Sequence, residues 1–156
     1  MSVVCGIVGS AGSGKTALAE ALVASLGDAG WRVGYVKHAH QGLDVDRPGS
    51  DTDRLASAGA APVVGTAPGR RFLIETGFDD GDPHLALGGL ESCDVVLVEG
   101  YHGAGWPKLR VTRAGKAPRE AEPPILAEIA SDRNGQLAPA ELAIALAAVT
   151  ELLGND

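Results

Sequence analysis

Residues 3–16 read VVCGIVGSAGSGKT, and this stretch decides the fold. Its second part, Gly9–Thr16, satisfies the phosphate-binding pattern G-x-x-x-x-G-K-[ST] at every fixed position. Each fixed residue has a mechanical task. The glycines let the backbone wrap with its N–H groups turned toward an anion. Lys15 brings a positive charge to the β- and γ-phosphates, and Thr16 offers a hydroxyl to Mg²⁺. The flanks supply the required context. Val3–Val8 is an apolar run that predicts a strand, and Leu18, Leu22 and Leu26 recur at i, i+4 and i+8, which predicts a helix from Gly14 to Asp28. The order strand, glycine loop, helix puts a bound phosphate on a helix N-terminus. The expected nucleotide-binding set is therefore Gly9, Ala11, Gly12, Ser13, Gly14, Lys15, Thr16 and Ala17.

Outward from that loop, strands and helices alternate. Arg32–Lys37, Ala61–Thr66, Arg71–Thr76, Asp94–Glu99, Pro107–Arg113 and Ile125–Ala130 read as strands. Short helices are expected from Asp51 to Ala58, capped by Asp51 or Ser50, and over Asp82–Leu90. Pro139–Leu153 reads as a last helix, with a stripe of Leu142, Leu146, Val149 and Leu153 broad enough to be buried on more than one side. The Pro68-Gly69 turn joins two strands as a hairpin. Together these predict an α/β fold of the P-loop NTPase-like kind: a three-layer sandwich with a mostly parallel, mixed central sheet, helices on both faces and an added antiparallel hairpin. At 156 residues the chain is expected to form a single nucleotide-binding domain over residues 1–156.

Composition narrows the partners. Lys and Arg number 13 against 20 Asp and Glu, a net charge of -7, which opposes non-specific binding to nucleic acid or an anionic membrane. Cys5 and Cys93 are the only cysteines, without metal-site spacing, and are expected to be buried reduced thiols of a cytoplasmic protein. No apolar run approaches the length of a membrane span, and the N-terminus enters a strand without a basic leader.

Ligands of an open parallel sheet sit outside the carboxyl ends of its strands. That rule selects Glu99, which ends the run DVVLVE, as a group that holds Mg²⁺ through water or orients an attacking water; Asp94 starts the same strand, at the wrong end. Lys37 ends another strand and is expected beside the phosphates. His38 and His40 follow it, a weak metal-ligand spacing. Asp44, Asp46 and Asp51 lie in one acidic loop that resembles a nucleotide-dependent switch, with a solvated turn and a helix cap as the competing explanation. Arg47 and Arg54 are candidate stabilisers of transition-state charge. The chain has no N-K-x-D base-reading motif, although Asp132, in SDRN at 131–134, lies where an Asp could meet a purine edge.

Four segments together carry a family resemblance: GIVGSAGSGKTAL (Gly6–Leu18), RVGYVKHAH (Arg32–His40), LDVDRPGSDTDRLASAGA (Leu43–Ala60), and VLVEGY with PKLRVTR (Val96–Tyr101 and Pro107–Arg113). The chain resembles the molybdopterin-guanine dinucleotide biosynthesis protein B family (MobB). The resemblance implies a dimeric, cytoplasmic GTP-binding protein, at most a weak Mg²⁺-dependent GTPase. Such a protein assists attachment of GMP to molybdopterin beside the guanylyltransferase MobA. Carried onto this chain, it gives Lys15, Glu99 and Asp44 the catalytic roles and Thr16, Asp46 and Glu99 the Mg²⁺. Gln41, Ser50 and His102 stand where the family more often has His, Lys and Lys, while Lys108 and Arg113 remain as charges for an anionic partner or cofactor. Three other readings compete. A small-molecule kinase would need an Arg-rich lid, and the 114–124 loop offers only Lys116 and Arg119. A nucleotide-gated metal-delivery protein would use His38 and His40, with His102 as a further candidate. A non-hydrolysing scaffold is the third.

Overall fold

A computed structural model describes residues 2–39, 42–43 and 45–154 of the chain. The described chain falls into two compact units: residues 1–38 with 82–156, and residues 39–81.

The larger unit holds a five-stranded sheet built from β1 (Val3–Gly9), β2 (Val33–Lys37), β5 (Val95–Glu99), β6 (Lys108–Arg113) and β7 (Ile125–Ser131), with α1 (Lys15–Asp28) and α3 (Pro139–Gly154). The strand order is β2-β5-β1-β6-β7, and every pairing is parallel. Parallel neighbours need crossovers, so both faces of the sheet must be covered. Strand periodicity sorts the side chains into two sets. Cys5, Ile7, Val95, Leu97, Leu109, Val111 and Ile129 pack under α1 and α3, against Leu18, Leu22, Leu26, Ala145 and Val149. Val96 and Val98 face the other way, against Ala104 and Trp106, with Val4, Val36, Leu87 and Leu90 around them.

This three-layer arrangement has a thin third layer. Within the larger unit, both long helices lie on one face. The other is covered by one 3-10 turn, Leu85–Leu87, and by the segment around Ala104 and Trp106. The helix expected over Asp82–Leu90 shrinks to that turn because Gly88 and Gly89 follow it at once. Helix α3 is buried along Ala145 and Val149 only, and Ile144 on its far side is exposed, so it packs on one side rather than several.

The smaller unit contains α2 (Asp51–Ser57) and the hairpin β3 (Val63–Ala67) with β4 (Arg70–Ile74). The expected hairpin is present, but it forms its own two-stranded sheet and leaves the central one wholly parallel among the described residues. Phe72 lies over Gly65, its cross-strand partner, where a Cβ would come within 2.2 Å of the ring. Val64 and Leu73 pair across the strands, and both are more than half exposed. Ser50 is the α2 cap, its hydroxyl accepting from the Asp53 N–H at 3.1 Å.

Two local readings change. The alternation in Lys108–Arg113 suggests a strand with a wet face, yet Lys108 is fully buried. Its Nζ donates to the carbonyls of Ala104, Trp106 (3.1 Å) and Glu122 (3.0 Å), three acceptors for three donors. Burial holds its pKa below the usual lysine value, with Glu122 opposing that shift. Lys108 is thus an internal staple and does not meet an external anion. Of the two thiols, Cys5 is buried, and burial pushes its pKa up to about 12, whereas Cys93 is only partly covered.

Replacing Lys108 with Met would strand three carbonyls and lower the unfolding free energy by about 2–4 kcal/mol. A urea titration showing a change under ~0.5 kcal/mol, the value for an ordinary surface lysine, would contradict the buried staple. Cys5 should resist iodoacetamide at pH 8 in the folded protein and react only after unfolding, as peptide mass mapping would read.

Candidate functional site

The loop from Gly9 to Gly14 leaves the carboxyl end of β1, which lies between β5 and β6. Its two fixed glycines are required by their neighbours as well as by any ligand. A Cβ on Gly9 would lie 2.4 Å from the Val111 carbonyl oxygen of β6. Gly14 adopts φ +96°, and its Cβ would meet the Gly135 carbonyl oxygen at 2.4 Å. Gly14 is also the N-cap of α1 and, having no side chain, makes no side-chain cap hydrogen bond to that helix.

Lys15 folds back over the loop, its Nζ donating to the carbonyls of Gly9 (3.1 Å) and Ser10 (3.0 Å). Partial burial lowers its pKa; Glu99 opposes the shift, and Lys37 and Arg119 add to it. Glu99 ends β5 in register with Ile7 of β1 and Lys37 of β2, and its side chain points to the α1 face as Leu97 does. There, at 8% exposure, Oε2 accepts from the Thr16 hydroxyl at 3.1 Å and from the Tyr35 hydroxyl at 2.8 Å. Lys37 Nζ stands 3.9 Å from Oε1, a loose pair on a half-exposed lysine that contributes little to stability. The loop thus brings Lys15, Thr16, Glu99 and Lys37 to one rim, as the sequence pattern predicts.

Other candidates land elsewhere. Asp44 and His40 lie outside the described residues. Asp46 belongs to the smaller unit. Its Oδ2 accepts from Thr52 (2.5 Å) and Ser50 (2.7 Å) hydroxyls and its Oδ1 from the Arg47 N–H (2.7 Å). Those bonds, the Thr52 hydroxyl foremost, hold its pKa below the usual carboxylate range. Arg54 pairs with Asp51 at 3.8 Å on an exposed helix surface. Asp132 spends Oδ1 on the N–H groups of Asn134 (2.7 Å) and Gln136 (2.9 Å), which fold the turn after β7. His38 donates its N–H to the Glu99 carbonyl at 2.9 Å, and its ring stacks on Tyr101, with centroids 4.1 Å apart. Tyr101 takes φ 44°, unusual for a bulky residue, directly after Gly100 at φ 111°. Among the described residues, no group of three or more His, Cys, Asp or Glu is placed to hold a metal ion.

Sequence reading missed Tyr35. Its signal is period two, since Tyr35 and Lys37 share a strand face and Lys37 pairs with Glu99. It also missed what Arg113 and Lys116 do. Arg113 donates through Nη1 to the Gly12 carbonyl at 2.9 Å and through Nε to the Arg133 carbonyl at 2.9 Å, and Lys116 Nζ donates to the Ala11 carbonyl at 3.2 Å. The contacts to Gly12 and Ala11 join residues 101 and 105 positions apart, and no local pattern encodes them.

A parallel sheet, a glycine loop wrapped at the end of its central strand and a strand-end carboxylate on the first helical hydroxyl define the class of P-loop α/β proteins. Within that class, the family model "Molybdopterin guanine dinucleotide synthesis protein B" (MobB) matches residues 4–132, and the chain belongs to this family. It is 34% identical over 152 residues to the molybdopterin-guanine dinucleotide biosynthesis adapter protein of Escherichia coli, covering 92% of this chain and 83% of the other. The Haemophilus influenzae protein of the same name is 35% identical over 114 residues, 69% of this chain and 62% of its own. The crystal structure of Bacillus subtilis MobB superimposes with a TM-score of 0.71 at 21% identity, over 95% of this chain and 98% of that one. A MobB homologue from Bacillus stearothermophilus gives 0.58 at 24% identity, over 98% and 99%. At such identities these two structures bear on the fold.

Tyr35→Phe removes one of the two hydroxyls on Glu99 Oε2. It should lower the unfolding free energy by about 1–2 kcal/mol with an unchanged urea m-value. A change within ~0.3 kcal/mol would mean that the Tyr35 bond does not hold Glu99 in solution.

Proposed function

We propose that this protein is a Mg²⁺-GTP-binding adaptor of molybdenum cofactor biosynthesis. It would assist the transfer of GMP to molybdopterin by a guanylyltransferase of the MobA kind, working as a homodimer in the cytoplasm. One observation carries the nucleotide part: Lys15, Thr16 and Glu99 converge at the mouth of the glycine loop, with Thr16 Oγ1 3.1 Å from Glu99 Oε2. The names of the relatives carry the pathway part.

The residues suit magnesium. Mg²⁺ prefers oxygen, keeps several waters and takes one or two protein groups besides phosphate. A threonine hydroxyl next to a nearly buried carboxylate is such a donor pair. When bound, the ion neutralises phosphate charge. The loop N–H groups and the first turn of α1 would receive the phosphates. Lys15 would leave the Gly9 and Ser10 carbonyls for a stronger, charge-assisted partner. Glu99 would hold the ion or, with Asp44, orient a water. Asp46 joins the ion only by exchanging its bonds to Ser50 and Thr52. Lys37 supplies a second cation on the same rim. Hydrolysis on this arrangement is weak at most, and the adaptor role does not require it.

The homodimer has its own support. The smaller unit exposes Leu43, Val45, Leu55, Val64, Phe72, Leu73 and Phe78, and a two-stranded hairpin alone is marginal in water. No helix among the described residues is long and apolar enough to cross a membrane.

Calorimetric titration with GTP and with ATP, each with Mg²⁺, tests the reading beside Lys15→Ala. GTP should bind in preference to ATP, and the variant should bind at least about tenfold more weakly. Equal affinity in the variant would overturn the phosphate-loop assignment. A preference for ATP would favour a small-molecule kinase, and nucleotide-dependent uptake of a transition metal through His38 would favour metal delivery.

A further inference from the structure

A peptide unit is planar, so a loop that turns its N–H groups inward turns its carbonyls outward, where each needs a donor. In the glycine loop every carbonyl from Gly9 to Ser13 has one. Gly9 and Ser10 accept from Lys15. Ala11 accepts from Lys116 at 3.2 Å, Gly12 from Arg113 at 2.9 Å, and Ser13 from the Ser131 hydroxyl at 2.7 Å. The last three donors lie outside the loop, at the ends of β6 and β7 and in the turn between them. Arg113 also donates to the Arg133 carbonyl through Nε and Nη2, so one guanidinium ties the loop to the turn that follows β7. That turn abuts the loop independently, since the Gly135 carbonyl oxygen lies where a Gly14 side chain would be.

We propose that Arg113, Lys116 and Ser131 are positioning residues that hold the phosphate loop's carbonyls outward and so preset its amides for a polyphosphate, with Arg113 the chief of the three. This inference rests on the nucleotide-binding reading and assigns these residues no contact with ligand. Arg113 carries most because its planar fork holds two backbone segments, at Gly12 and Arg133, in one fixed geometry, whereas the Lys116 ammonium holds a single carbonyl. Lys116 is exposed and holds one carbonyl, so its part is smaller. The gain comes from preorganisation: a loop already in its binding geometry loses less entropy when the anion arrives.

The test is isothermal titration of Mg²⁺-GTP and of inorganic tripolyphosphate with the full chain and with Arg113→Met, Arg113→Lys and Lys116→Met, with a thermal midpoint for each free protein. Arg113→Met should bind both ligands roughly tenfold more weakly, Arg113→Lys should fall between, and Lys116→Met should lose about two- to threefold. The free variants should still melt cooperatively. Lys116→Met, at an exposed site, keeps the proposal testable if Arg113→Met does not fold. Unchanged affinity in the folded variants would overturn the proposal. Loss for GTP alone, with tripolyphosphate unaffected, would also overturn it, because Arg113 would then be reading the nucleoside. Unchanged affinity with slower hydrolysis would overturn it in favour of a direct transition-state contact. If the unsubstituted protein bound neither ligand, the nucleotide reading itself would fall, and the clamp with it.

Discussion

The outward carbonyls of residues 9–13 are the constraint on which the rest of this structure depends. Lys15 serves those of Gly9 and Ser10, and the other three need donors from outside the loop. For Ala11, Gly12 and Ser13 the donors come from β6, β7 and the turn between them, so β6 must run parallel beside β1 and past its end, with β7 beside β6. The close approach of Gly9 to Val111 follows from that demand, and so does the contact of Gly14 with the turn at Gly135. The glycine pattern is therefore a record of sheet order as well as of phosphate chemistry. A bulkier residue at either position would push the loop off the strand or turn that holds it.

Strand parity sets the second half of the site. In a parallel sheet, side chains of paired residues share a face, and the set Tyr35–Leu97 and Lys37–Glu99 lies toward α1. Thr16, one position into α1, meets Glu99 because the helix covers that face. Glu99 is costly to keep at 8% exposure unless its oxygens are paired. Two hydroxyls on Oε2 supply that pairing without a strong ion pair, which leaves the carboxylate able to exchange partners.

Much of this was legible in the sequence where the signals are local. The strand, loop and helix of residues 3–28, the Glu99 strand end, the hairpin and its Pro-Gly turn all follow from periodicity and turn chemistry within a short window. The misreadings share a physical cause. Lys108 looks solvent-facing in its own strand, but the segment around Ala104 and Trp106 offers it two carbonyls and Glu122 a third. Whether a lysine is wet or buried depends on what crosses above it, and strand alternation carries no record of that. The hairpin's independence from the central sheet is likewise a matter of pairing partners at long range. The Arg113 and Lys116 contacts span about a hundred residues and leave no mark on spacing.

Net charge was the least local signal and needs the most care at this site. The chain carries -7 overall, yet Lys15, Lys37, Lys116 and Arg113 gather at or behind the phosphate loop, and Arg119 acts on Lys15. Glu99 is the acidic group that acts in the opposite direction on the Lys15 ammonium. Partial burial first, and then the nearby Lys37 and Arg119, disfavour that charge, which is why its pKa sits below the ordinary lysine value. A polyanion placed in the loop would oppose the like-charge effect on Lys15, supplying negative charge where Lys37 and Arg119 now disfavour the ammonium. The chain is acidic as a whole, while the cations gathered at the loop make the local field there positive. The sign of a local field is set by charge placement and cannot be deduced from charge content.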